Sequence, residues 1–366
     1  MAAHAHTTIP PWTWIFPLAG AAFLAAKAVG LVGAETVAGV AAAALLLGAC
    51  VFASVHHAEL LAVKLGEPYG AVLLAVAITV IEVGLIASIM FSGAPGAETV
   101  ARDTVFSAAM IVLNGVVGLC LVLGGRRHFE QSFRGEGASA ALAVLGTLAV
   151  VALILPNFTR ATDGPSFAPV QLAAVGIASL ALWAVFVFVQ PVRHRDYFLD
   201  ADADDAPVAA HAAPSDAVAI AALGALLVAL VAVVLLAKAL SAPMERAIDA
   251  AGLPPTFLGV VIATIVLLPE GLAAVRSALA NRLQNSVNLA LGSAVASIGL
   301  TVPVVALLAI PAGVTPILGV SAANMVLLGL TLFASTLTLA TGRTTVLQGA
   351  VHLVIFAVFL LLAAVP

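Results

Sequence analysis

Runs of about 20 apolar residues recur from one end of this chain to the other, and that pattern restricts it to helices that cross a lipid bilayer. A helix of that length spans a hydrocarbon layer about 30 Å thick, where no water is present to satisfy an irregular backbone. Hydrophobic residues fill 63% of the 366 positions and charged residues only 9%. With a mean hydropathy of +1.19, a soluble domain is excluded. The chain reads as an all-α polytopic membrane protein with about eleven transmembrane helices. The spans lie near 14–33, 36–57, 70–92, 100–123, 138–156, 166–190, 217–239, 255–276, 286–310, 316–339 and 344–365.

Residues Met1 to Thr13 hold histidines but no Lys or Arg, so they lack the basic region of a cleavable signal peptide, and the first helix is expected to be retained. Cys50 and Cys120 fall inside apolar spans without Cys-x-x-Cys spacing and read as packing residues. Of the 14 Lys and Arg residues, one face collects Lys64, Arg126, Arg127, Arg134, Arg193, Arg195, Arg276, Arg282 and Arg343. The other holds Arg102, Arg160, Lys238 and Arg246, and Lys27 lies within the first span. The positive-inside rule then places the N-terminus in the cytoplasm and, with an odd number of spans, Pro366 outside.

One connector is clearly polar. Residues 191–216 carry two arginines and six aspartates, a net charge of −4 that equals the net charge of the whole chain. It is expected to be a solvated cytoplasmic linker. Asp200, Asp202, Asp204 and Asp205 form a candidate cation-collecting patch, without the glycine and terminal glutamate of an EF-hand loop. Dividing the chain there gives an N-terminal helix (1–35), a first five-helix repeat (36–190), the acidic linker (191–216) and a second five-helix repeat (217–366). A five-helix unit crosses the membrane an odd number of times, so two successive copies enter it from opposite sides. That is the inverted-repeat plan of alternating-access transporters.

Each expected copy has one glutamate deep in an apolar span: Glu82 in AVLLAVAITVIEVGLIASIM and Glu270 in TFLGVVIATIVLLPEGLAAVRSAL. A carboxylate in the hydrocarbon layer costs about 2.5–3.5 kcal/mol on insertion scales, which makes both functional candidates. The spans that follow are rich in small and polar residues, and aligning them pairs Met110 with Ser293 and Asn114 with Ser297. Pro269 lacks a backbone donor and is expected to break the helix just before Glu270, freeing carbonyl oxygens. Glu82 and Glu270 would be the charged cation ligands, completed by Asn114, Ser293 and Ser297. Asn114 and Ser297 also suit plain interhelical packing.

Two carboxylates brought together in a poorly solvated place resist ionisation, so protons and cations compete for them. One divalent cation or two protons neutralise the pair, and either loaded form crosses an apolar barrier more readily than the bare dianion. Obligatory exchange follows from that asymmetry.

These residues carry a family resemblance. Pro269-Glu270, then Asn288 and Gly292-Ser293, resemble an α-repeat of the calcium/cation antiporter superfamily, and GEPYGAVLL, VIEVGLIASIM, PEGL and TGRTTVLQGAVHL are similar to its ChaA-type cation/proton exchanger branch. The resemblance covers about residues 66–134 and 255–310. It implies a secondary active antiporter of a bacterial inner membrane that extrudes Ca2+, with Na+ or K+ as further substrates, against proton entry, needing no cofactor. A mainly monovalent Na+(K+)/H+ antiporter is the alternative. It also implies a polar ligand at Thr79, whereas Val266 and Leu267 stand where the second copy would have hydroxyl or amide ligands.

Three histidines remain. His56 and His57, beside Glu59, are candidates for proton gating or for simple interfacial placement, and His352 shares a face with Gln348 as a packing pair or proton relay. Asp103 beside Arg102 reads as an interface pair or a cation-exit residue. A cation channel is the remoter alternative, because channels commonly use rings of like residues from several subunits. No hydrolase motif is present, so an enzyme is not expected, and neither is a nucleic-acid partner. The partners expected are inorganic cations, protons and the bilayer.

Overall fold

A computed structural model describes residues 9–31, 36–66, 69–93, 96–193, 195–198 and 214–366. Eleven long helices run through them. They are α1 (Trp12–Ala28), α2 (Val37–Leu65), α3 (Tyr69–Met90), α4 (Ala97–His128), α5 (Gly135–Phe158), α6 (Pro169–Phe188), α7 (Asp216–Ala250), α8 (Phe257–Leu279), α9 (Leu283–Ala312), α10 (Ala322–Leu339) and α11 (Val346–Ala364). Ten of these are long and apolar enough to cross a membrane, and α1, with 17 residues, is the shortest of the eleven. The protein is an integral membrane protein.

Two departures from the expected spans have local causes. The tenth helix begins at Ala322 rather than near 316, because Pro316 and Gly319 disfavour helix and the Ser321 hydroxyl accepts a hydrogen bond from the Asn324 amide at 3.3 Å as its N-cap. The seventh helix continues to Ala250, 35 residues in all, about 50 Å at 1.5 Å per residue and so longer than the hydrocarbon layer is thick. The acidic patch Asp200, Asp202, Asp204 and Asp205 lies outside the described residues.

Compactness divides the chain into two units that do not coincide with the expected repeats. One comprises Met1–Ser92 with Pro207–Ala247, the other Gly93–Ala206 with Ile248–Pro366. The first unit therefore joins α2 and α3 to α7, from the far side of the acidic connector. One buried cluster in it comprises Ala58, Leu61, Ala77, Ala222 and Leu226, and its alanines let the helix backbones approach closely. Gly84 of α3 faces the Val234 side chain so tightly that a Cβ there would collide. At one end, Lys64 Nζ meets an Asp216 carboxylate oxygen at 2.6 Å and donates to the Pro214 carbonyl at 3.0 Å.

The second unit contains α4–α6 and α8–α11. Here too glycine sets the spacing: Gly118 of α4 and Gly349 of α11 lie backbone to backbone, and Gly299 of α9 sits against Trp183 of α6. A two-stranded antiparallel pair, β1 (Gln131–Ser132) and β2 (Arg343–Thr344), ties the α4–α5 link to the α10–α11 link. Several helices here depart from α geometry. Residues Ile111–Val116 of α4 and Val150–Ile154 of α5 are π-helical, with hydrogen bonds one residue longer than the α repeat.

Candidate functional site

In the first unit, Glu82 sits inside α3 with 3% of its surface exposed, and Thr79, three residues earlier on the same face, is 5% exposed. The Thr79 hydroxyl donates to the Ala75 carbonyl at 2.8 Å. Its proton is thus committed to its own helix, leaving oxygen lone pairs as acceptors, the polarity a cation ligand needs.

In the second unit, Glu270 is 7% exposed on α8. α8 is helical without interruption from Phe257 to Leu279, so the expected break at Pro269 does not occur. The proline ring removes the donor that would have reached the Ile265 carbonyl, and the helix nevertheless continues through it. The α4 helix, by contrast, carries no proline and is distorted. Its π turn presents Val112 and Val116 to a small cavity that Leu267, Glu270, Gly271, Ala290 and Ser293 complete. That cavity measures about 10 Å3, no larger than one water needs. Ser293 Oγ is buried there with no hydrogen-bond partner among the described residues. An unsatisfied hydroxyl beside a carboxylate is an oxygen still available to a cation or a proton donor. Ser297 follows one turn along α9, 4% exposed.

Asn114 is completely buried, but its side chain does not join that cavity. It points to α10 and α11, where its Nδ2 donates to Thr331 Oγ1 at 2.9 Å and its Oδ1 lies 3.2 Å from His352 Nδ1. His352, also fully buried, meets Thr338 Oγ1 through Nε2 at 3.2 Å. Gln348 is not its partner: the Gln348 side chain caps α11 instead, accepting from the Thr345 amide at 2.8 Å. Thr331, Ser335 and Thr338 were absent from the expected site. Their signal was a polar stripe at spacings of four and three along an apolar helix, which marks one buried face.

The other candidates take structural places. Asn288 donates to the Phe198 carbonyl at 2.6 Å and accepts from Gln284 at 2.9 Å, anchoring the start of the acidic connector. His57, buried, hydrogen-bonds the Thr13 carbonyl at 3.1 Å and packs edge-on against Trp14, while His56 lies against Trp12. Both histidines therefore seat α1 on α2. Asp103 bonds Arg102 and Thr99, each at 2.7 Å, on the wall of a cavity of about 370 Å3 that also includes Ser107, Thr256 and Asn324. Among the described residues no cluster of three or more His, Cys, Asp or Glu side chains is assembled. A bound cation would therefore draw on isolated carboxylates, hydroxyls and carbonyls, the oxygen donors that hard ions prefer.

Comparison with known proteins agrees in kind. A family profile described as sodium/calcium exchanger protein matches residues 35–192 and 221–365. A putative ionic transporter, y4hA of Sinorhizobium fredii, is 56% identical over 358 residues, 98% of this chain and 97% of that protein. The sodium-potassium/proton antiporter ChaA of Escherichia coli is 36% identical, covering 85% of this chain and 84% of its own length. The solved structure of native YfkE superposes with a TM-score of 0.74 at 16% identity, covering 97% of this chain and 100% of that one, which places the two in one fold.

Proposed function

The chain belongs to the sodium/calcium exchanger protein family, and from that premise we propose that it is a secondary active cation/proton antiporter working by alternating access. The observation that carries the proposal is a carboxylate buried deep in an apolar helix of each compact unit, Glu82 at 3% and Glu270 at 7% exposure, whereas Asp103, also buried in the second unit, is ion-paired with Arg102. Neither is a typical core residue, since carboxylates are almost never fully buried unless paired or functional. In each unit a hydroxyl accompanies the carboxylate, Thr79 on α3 and Ser293 on α9. Protons neutralise the carboxylates in one half of the cycle and a cation does so in the other. An unneutralised charge meets the desolvation barrier, which couples the two fluxes.

We assign Ca2+ as the first substrate, because buried carboxylate oxygens are the ligands a hard divalent ion prefers, and YfkE is described as a Ca2+/H+ antiporter. A second reading, Na+(K+)/H+ exchange, draws on the ChaA relationship and on Leu267, which lines the Glu270 cavity where a further oxygen ligand would favour a divalent ion. On this reading the protein lies in a bacterial inner membrane, with the N-terminus and acidic connector cytoplasmic and the C-terminus outside.

The test is proton movement in proteoliposomes holding the purified protein, elicited in turn by Ca2+, Na+, K+ and Mg2+. Glu82→Gln and Glu270→Gln each abolish cation-dependent proton flux. Full retention in either variant removes that residue from the mechanism, and flux with monovalent ions alone selects the second reading.

A further inference from the structure

A buried chain of side chains in the second unit has a defined direction. Asn114 Oδ1 can only accept, so His352 Nδ1 carries the proton between them at 3.2 Å. In the neutral imidazole Nε2 then accepts, and the Thr338 hydroxyl donates to it at 3.2 Å. At the other end Asn114 Nδ2 donates to Thr331, whose hydroxyl turns to Met110 Sδ at 3.4 Å. Every member is buried, and the chain stitches α10 and α11 to the π turn of α4.

That turn is where the chain acts. Val112 and Val116 face the Glu270 cavity, whereas Asn114, two residues from each, projects roughly opposite and is held by α10 and α11. A π turn holds one residue more than an α turn, and losing it would rotate one flank of the helix by about 100° relative to the other. Both valines would then change their aim at Glu270 and Ser293. The His352 Cβ is kept close to α4 by the absence of a side chain at Gly118.

We infer that His352 is a positioning residue for exchange, which through Asn114 holds the π turn of α4 in the shape that walls the Glu270 cavity. The inference rests on the assignment of Glu270 to transport, and the two are read by different quantities. Loss of flux in Glu270→Gln tests the assignment. A shift in half-saturating cation concentration, in protein that still transports, tests the role of His352.

The experiment measures proton flux against cation concentration in proteoliposomes of the full chain, with Ca2+ and Na+ as probes. His352→Leu removes both ring nitrogens and raises the half-saturating concentration about tenfold, the scale of one lost buried hydrogen bond, with maximal flux within about twofold. His352→Asn keeps an N–H near the Nδ1 position and returns the value to within about threefold of the parent. His352→Leu combined with Asn114→Leu is no worse than Asn114→Leu alone, as expected of residues acting in series. An unchanged half-saturation in His352→Leu overturns the inference, as does a fall in maximal flux alone or an Asn variant no better than the Leu variant. Should His352→Leu fail to fold, Thr338→Val removes only the hydroxyl that orients the ring, and a shift below about twofold there overturns the inference equally.

Discussion

At the scale of single residues, the informative distinction is between polar groups satisfied by one another and those, Ser293 among them, with no partner among the described residues. Asn114, Thr331, His352 and Thr338 are satisfied by one another, while Ser293 Oγ is buried on the Glu270 cavity with no partner among the described residues. Removing an unsatisfied hydroxyl breaks no hydrogen bond, so Ser293→Ala should leave the thermal unfolding midpoint unchanged or slightly raised. The same substitution should raise the half-saturating cation concentration by at least about threefold in a flux assay. A lowered midpoint with unaltered transport would instead make Ser293 a packing residue. Both carboxylates were legible from sequence because a charge in an apolar span is conspicuous at one position. The direction of Asn114 was not, since it depends on which neighbouring helix supplies Thr331 and His352, more than 200 residues downstream.

Elements show the same division between local pattern and packing. Helix existence follows from apolar length, and the eleven expected spans correspond in order to the eleven helices. Helix irregularity does not follow. Pro269 has the strongest breaking tendency on its segment, yet α8 continues through it, whereas the π turn of α4 occurs in IVLNGV, which contains no proline. Close approach also belongs to this scale. A Cβ on Gly349 would lie 2.7 Å from the Val122 amide nitrogen and 2.8 Å from the Gly118 carbonyl oxygen, whereas one on Gly118 would meet His352 Cβ at 3.0 Å. Overpacking such a seam costs about 1–3 kcal/mol. Gly349→Leu should therefore lower the thermal midpoint more than Gly118→Leu, because its clashes are shorter and more numerous, and tryptophan fluorescence on heating measures the order.

For the whole molecule, exchange makes the proton a competitor of the cation. If Glu82 and Glu270 carry exchange as proposed, raising the pH on the cation-loading side lowers their proton occupancy, and the half-saturating cation concentration should fall as pH rises until they are fully ionised. A channel would show no such trade and would conduct without a pH gradient. The sequence alone established a polytopic helical membrane protein with two costly carboxylates, because apolar length and misplaced charge are local properties of the chain. Tertiary packing settled how the helices group: α7 joins α1–α3 across the acidic connector, and α4 is distorted and stitched to α10 and α11. Those outcomes depend on side chains distant in sequence meeting at glycine-spaced seams, where small changes in helix separation determine which polar groups find partners.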